Sequence, residues 1–183
     1  MPTARLHINM AIGTILLYLL AQLINELAFN NSEFIRGINW IYLPAGIRLL
    51  CLLLFGMSGA IGILIASWLI SFFYFFPDDF IRSFAGGIIS TIAPSLVYMV
   101  ARQLFGVHAS LSNLTARRLF MCAIAYAISN ALLHHIWFAL RGSAGNLYES
   151  FLVMFIGDLT GTLLVLYALK GILLFKAIMT RTL

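Results

Sequence analysis

An all-α bundle of about six membrane-crossing segments is the fold this sequence predicts, and three observations predict it. Of its 183 residues 62% are hydrophobic and 9% charged, with a mean hydropathy of +1.01, against roughly 25% charged residues in a soluble domain. The apolar residues come in runs of about 20, the length a helix needs to cross the ~30 Å hydrocarbon core. The basic residues sit at the ends of those runs, and six crossings sort them by side. Arg5, Arg102, Arg117, Arg118, Lys170, Lys176 and Arg181 fall on the side of the termini, only Arg36, Arg82 and Arg141 on the other, and Arg48 inside the membrane. Basic excess marks the cytoplasm. The expectation is a single transmembrane domain over 1–183 in the cell's inner membrane, with both termini cytoplasmic. The pI near 9.6 then reflects orientation, and nucleic acid is excluded as a partner.

The first segment runs from Ile8 to Phe29 and carries Gln22, Asn25 and Glu26 in its last third. Arg5 precedes it, but no small-residue cleavage site follows, so it reads as a retained span. A polar loop leads to Trp40 and Tyr42, placed where an aromatic interface belt belongs. The second segment, Pro44 to Phe55, is short. Pro44 can open a helix because its missing N–H would be unpaired there anyway. A dozen residues rise only ~18 Å, so the segment is either a half-span or a tilted, partly unwound crossing. Gly46 lies within it, and Gly56 with Gly59 can turn the chain at its end.

Segment three, Ser58 to Phe76, opens with Ser58, Gly62 and Ala66 at four-residue spacing, a stripe that lets a neighbouring helix approach closely. With Gly56 and Gly59 as a hinge, that stripe is also a candidate contact for a membrane partner. Pro77-Asp78-Asp79 is a turn. Segment four, Phe84 to Phe105, holds Gly86-Gly87 and Pro94, the latter a kink candidate. A loop from Gly106 to Ala116 precedes segment five, Leu119 to Leu140, in which Tyr126, Asn130 and His134 share one face. His135 points about 100° away. Segment six, Tyr148 to Leu169, carries Asp158 between Gly157 and Gly161, a close-approach G-x-x-x-G face.

Ionisable groups inside a membrane are costly, about 2.5 to 3.5 kcal/mol even on the mildest scale, and face protein or water. Arg48 and Glu26 lie about one turn below the outer surface, His134 about two, and Asp158 ~15 Å down at 1.5 Å per residue. With Asn130 they form the candidate ligand-binding set, concentrated in the outer half and centre, as suits a cavity closed toward the cytoplasm. A buried Asp needs a partner, and Arg48 or a histidine is the expected one. A structural ion pair between helices accounts for the same residues without any ligand. No cofactor is specified: the adjacent histidines diverge and no H-E-x-x-H pattern exists. Cys51 and Cys122 fall inside apolar runs. Gly56-Met57-Ser58-Gly59 lacks the strand-to-helix setting of a serine elbow, and no catalytic constellation is present, so the chain is not expected to be an enzyme.

Two blocks carry a family resemblance. Trp40-Ile41-Tyr42-Leu43-Pro44-Ala45-Gly46-Ile47, before a Leu-rich run ending in Gly56, and Gly157-Asp158 followed by Gly161 and Leu164-Val165, resemble the first type of bacterial membrane-associated sensor domain. That family precedes diguanylate cyclases, phosphodiesterases and histidine kinases and usually has about eight spans. This chain reads as a shortened, stand-alone form. The resemblance implies a sensor that binds a small ligand from the periplasmic side and acts through a membrane protein partner. A substrate-capture or transport subunit is the first alternative, with Ala123, Ala127 and Ala131 as a docking stripe. A structural assembly factor is the second.

Overall fold

The computed structural model describes residues 2–106, 114–142 and 146–179. Most of the expected loop from Gly106 to Ala116 lies outside the described residues, as does Arg181. Six helices follow one another: α1 (Pro2–Phe29), α2 (Leu43–Phe55), α3 (Met57–Ile70), α4 (Phe80–Phe105), α5 (Ala116–Leu140) and α6 (Leu147–Met179). Five apolar helical stretches are long enough to cross a membrane, and the sixth, Leu43–Phe55, is not. The chain is therefore a multi-pass membrane bundle. A hairpin the sequence did not suggest, β1 (Glu33–Ile35) paired with β2 (Ile38–Asn39), joins α1 to α2. Gly37, at φ 84, makes its turn, a conformation that costs glycine nothing.

The short α2 has a physical explanation in its surroundings. Its 13 residues rise about 20 Å, too little for lipid, but α1, α3, α4 and α6 all pack on it. Pro44, Ala45, Gly46, Arg48, Leu49, Leu50, Cys51, Leu52 and Leu53 are buried. A helix sheathed by protein need not match the bilayer. Gly56, at φ 54, ends α2 and caps α3 at once, so the two run antiparallel, with Cys51 beneath Gly59.

The non-helical stretch before α2 is packed against α6, where unpaired backbone would be expensive. Its polar groups are met by protein. Trp40 N–H donates to Ser32 O (2.8 Å) and Tyr42 N–H to Gly157 O (3.1 Å). The first amide of α2, Leu43 N–H, donates to Asn25 Oδ1 at 2.8 Å. Thr160 Oγ1 donates to Trp40 O at 3.1 Å. This docking requires the two glycines of α6. A Cβ on Gly157 would overlap the Asn39 carbonyl oxygen, and one on Gly161 the Tyr42 carbonyl. Gly46 of α2 meets Val165 and Thr162 in the same way.

Two expectations are corrected here. Tyr42 is not an interface anchor: it is 8% exposed and its hydroxyl faces inward, whereas Trp40 is 44% exposed. The Ser58, Gly62 and Ala66 stripe faces α1, not a partner. A Cβ on Gly62 would strike Thr14 and Ala11 O, and Ser58 Oγ pairs with His7 Nδ1 at 2.8 Å. Gly62→Leu should therefore lower the thermal stability of the bundle itself, read by the unfolding midpoint in detergent. A normal midpoint would return the stripe to an outward role.

At the hairpin end, α3 widens into a π-helical turn, Ser71–Phe75. Ser83 Oγ lies 2.9 Å from both Ser71 O and Phe76 O, and its one proton, shared between them, ties α4 to the end of that turn. Asp79 caps α4 through Arg82 N–H (2.9 Å). Trp68 lies against Gly87 and donates to Phe84 O at 3.1 Å. Pro94 sits buried within an unbroken α4. The antiparallel order places β1–β2, the α3–α4 turn and the α5–α6 turn at one end of the bundle. Reporter fusions after Asp79 and Asn146 should report the same side, and a fusion after Gly106 the opposite one. Discordant Asp79 and Asn146 fusions would break the order.

Candidate functional site

A narrow cavity of about 70 Å³ runs into the bundle from the hairpin end. At its mouth stand Arg36, Phe76, Arg82, Trp137 and Phe138. Arg36 is paired with Glu33 at 3.8 Å and lies over the Tyr74 ring at 4.3 Å. Arg82 lies over Phe76 at 3.8 Å. Deeper in, the lining becomes polar: Tyr18 from α1, Tyr42 and Arg48 at the start of α2, Ser67 from α3, Asn130 and His134 from α5, and Asp158 from α6. With Ser90 from α4, all six helices thus place polar side chains in one interior space, and a hydrophobic core seals the other end through Leu49, Leu53, Val97, Ala123 and Tyr126.

Arg48, 5% exposed, is held by phenols. Its Nε donates to Tyr18 Oη at 2.6 Å, its Nη2 donates to the same oxygen, and Nη2 lies 3.3 Å from Tyr42 Oη. Its guanidinium carbon is 4.9 Å from the Tyr18 ring centre and 5.2 Å from that of Tyr42. Aromatic faces attract a desolvated cation. Ser67 Oγ bonds the Tyr18 hydroxyl from the far side, at 3.2 Å. Asp158, 2% exposed, accepts from Asn130 Nδ2 at 2.6 Å. His134 Nδ1 is 3.0 Å from Asn130 O, leaving Nε2 toward the cavity.

The expected pairing of Asp158 with Arg48 or a histidine is not what the structure shows. Among the described residues the ion pair is Glu33–Arg36; Arg48 and Asp158 stand in one cavity without reaching ion-pair distance. The physical reason is geometric. Arg48 lies one turn into a buried helix and extends toward α1, where Tyr18 meets it, and the Asn130 amide occupies one Asp158 oxygen first. Of the predicted set, Arg48, Asn130, His134 and Asp158 come together. Glu26 does not: it accepts from Gln22 (2.7 Å) and Tyr74 (2.8 Å), tying α1 to the π-turn outside the cavity.

Sequence reasoning missed Tyr18, Asn39 and Ser67 and misplaced Tyr42. Tyr18 had a signal: Thr14, Tyr18, Gln22 and Asn25 follow helical spacing and mark the inward stripe of α1, all four buried. Asn39 had none, because its position depends on the docked hairpin. His135, as its 100° offset predicts, leaves the cavity and packs on Phe138 and Phe151 at 5.2 and 5.5 Å. The supposed docking stripe Ala123, Ala127 and Ala131 is wholly buried, used up within the bundle against its own neighbours.

The class these features define is a polytopic α-helical membrane protein with a polar cavity opening at one end. The model of the membrane-associated sensor domain family MASE1 matches residues 9–181, nearly the whole chain, and the chain belongs to that family. It is an integral membrane sensor domain. No curated protein and no solved structure shows a significant match to it.

Proposed function

We propose that this sensor domain binds a small polar ligand in the cavity above Arg48 and passes its presence to a membrane protein partner. The reading is supported by one observation above others: six helices converge on one polar cavity, to which α2, α5 and α6 bring oppositely charged and amide side chains, inside a family of sensors. A ligand there lies among all six helices, so it can favour one packing of them over another, and only such differential affinity shifts a conformational equilibrium. The basic ends oppose the cavity mouth, which fits an inner-membrane location with cytoplasmic termini and a mouth facing the periplasm. The chain acts by binding and not by catalysis.

Native mass spectrometry of gently extracted protein tests this. Unsubstituted protein should carry a small-molecule adduct that exchanges on dialysis and is absent from Arg48→Gln, and should co-extract a membrane subunit whose occupancy changes with that adduct. Identical spectra for the two proteins would end the ligand reading.

A further inference from the structure

The chemistry of the cavity narrows what it accepts. Arg48 and Asp158 are each more than nine-tenths buried, line the same space and do not pair. Each also keeps an unused atom. Arg48 bonds through Nε and Nη2, and Nη1 makes no hydrogen bond among the described residues. Asp158 bonds through Oδ2, and Oδ1 makes none. A buried charge left without a counter-charge is expensive, and removing it from water is repaid only by an opposite charge in good geometry.

The amide beside Asp158 follows the same polarity. Asn130 Nδ2 donates to a carboxylate, which when ionised can only accept. That fixes the orientation of the amide and turns Asn130 Oδ1, which is buried and without a partner, into an acceptor at the Asp158 end. The Asp158 end of the cavity therefore presents two acceptors, Asp158 Oδ1 and Asn130 Oδ1, and Arg48 presents a donor. We infer that the cavity recognises a small zwitterion of amino-acid type, with its ammonium on Asp158 and Asn130 and its carboxylate on Arg48. The net charge of Arg48 and Asp158 cancels, so a neutral molecule carrying both charges satisfies the site where a simple anion or cation leaves one buried charge unmatched. At about 70 Å³ the space holds a molecule of a few heavy atoms. This inference rests on the proposed reading of the cavity as the ligand site.

The test is binding to the purified full chain in detergent, by thermal shift and by isothermal titration. The zwitterionic probes are glycine, β-alanine and 4-aminobutyrate, which differ in charge separation; the singly charged probes are acetate and methylammonium. At least one zwitterion should bind tenfold or more tightly than either singly charged probe, and Asp158→Asn and Arg48→Gln should each weaken it at least tenfold. The selectivity of the unsubstituted protein carries the test even where a variant fails to fold. Acetate or methylammonium binding as tightly as every zwitterion, and lost in Arg48→Gln, would overturn the zwitterion while leaving the cavity as a ligand site. No binding by any zwitterion would overturn the inference, and an exchangeable adduct of other chemistry in native spectra would then still uphold the function.

Discussion

Gly161→Val should abolish folded protein, and Gly161→Ala should sharply reduce it. The Cβ of either residue falls on the carbonyl of Tyr42, which is main chain and held on both sides: Tyr42 N–H by Gly157 O, Leu43 N–H by Asn25. Extra atoms in a packed core cost about 1 to 3 kcal/mol when side chains can yield. Here only backbone can yield, and yielding undoes the bonds that keep the segment's polar groups satisfied where water is excluded, each worth several kcal/mol in lipid. Displacement would also shift Tyr42 and the start of α2, so Arg48 would lose its place. Gly157→Ala, against Asn39 O, should behave alike. Gly13→Ala and Gly171→Ala, where a Cβ meets nothing within 4 Å, are the controls and should express and melt normally. Fluorescence-detected size exclusion after heating reads the whole set. Normal melting of Gly161→Val would mean that the docked hairpin is not part of the fold.

The second large effect lies in the coupling of Arg48. In a double-mutant cycle, Arg48→Gln and Tyr18→Phe should be strongly non-additive, with an interaction of about 1.5 to 3 kcal/mol, as for a hydrogen bond to a charged group. Both Arg48 bonds to Tyr18 vanish with either change, so the second substitution removes little more. The cycle of Arg48→Gln with Asp158→Asn should give the smaller coupling, because those two groups share a cavity without touching. Reversal of that order, measured by unfolding midpoints of the four proteins in each cycle, would restore a direct Arg48–Asp158 pair. Added zwitterion should raise the Arg48–Asp158 coupling, since the ligand then connects them.

What the sequence determined by itself is what depends on composition and local spacing. Runs of about 20 apolar residues fix the crossings, because hydrocarbon accepts backbone only when each helix satisfies itself. The face shared by Tyr126, Asn130 and His134 follows from helical geometry, as does the divergence of His135. Pro44 and Gly56 mark the ends of α2 because one lacks an N–H and the other tolerates φ 54.

Tertiary structure decided which polar groups meet. Gly157 and Gly161 were legible as a close-approach face, but a helix face does not name its neighbour. That neighbour is the irregular strand before α2, which has no period to read. For the same reason Tyr42 looked like an interface residue: its place in the sequence is next to a membrane boundary, while its place in space is set by the docked hairpin. Ser58, Gly62 and Ala66, and Ala123, Ala127 and Ala131, are alike as stripes, and only packing shows that both are spent inside the bundle. Arg48 and Asp158 carry opposite charges at compatible depths, which made a pair reasonable. Side-chain reach of a few ångströms settled it otherwise, since depth along the membrane normal says nothing about the direction in which each helix turns its residues.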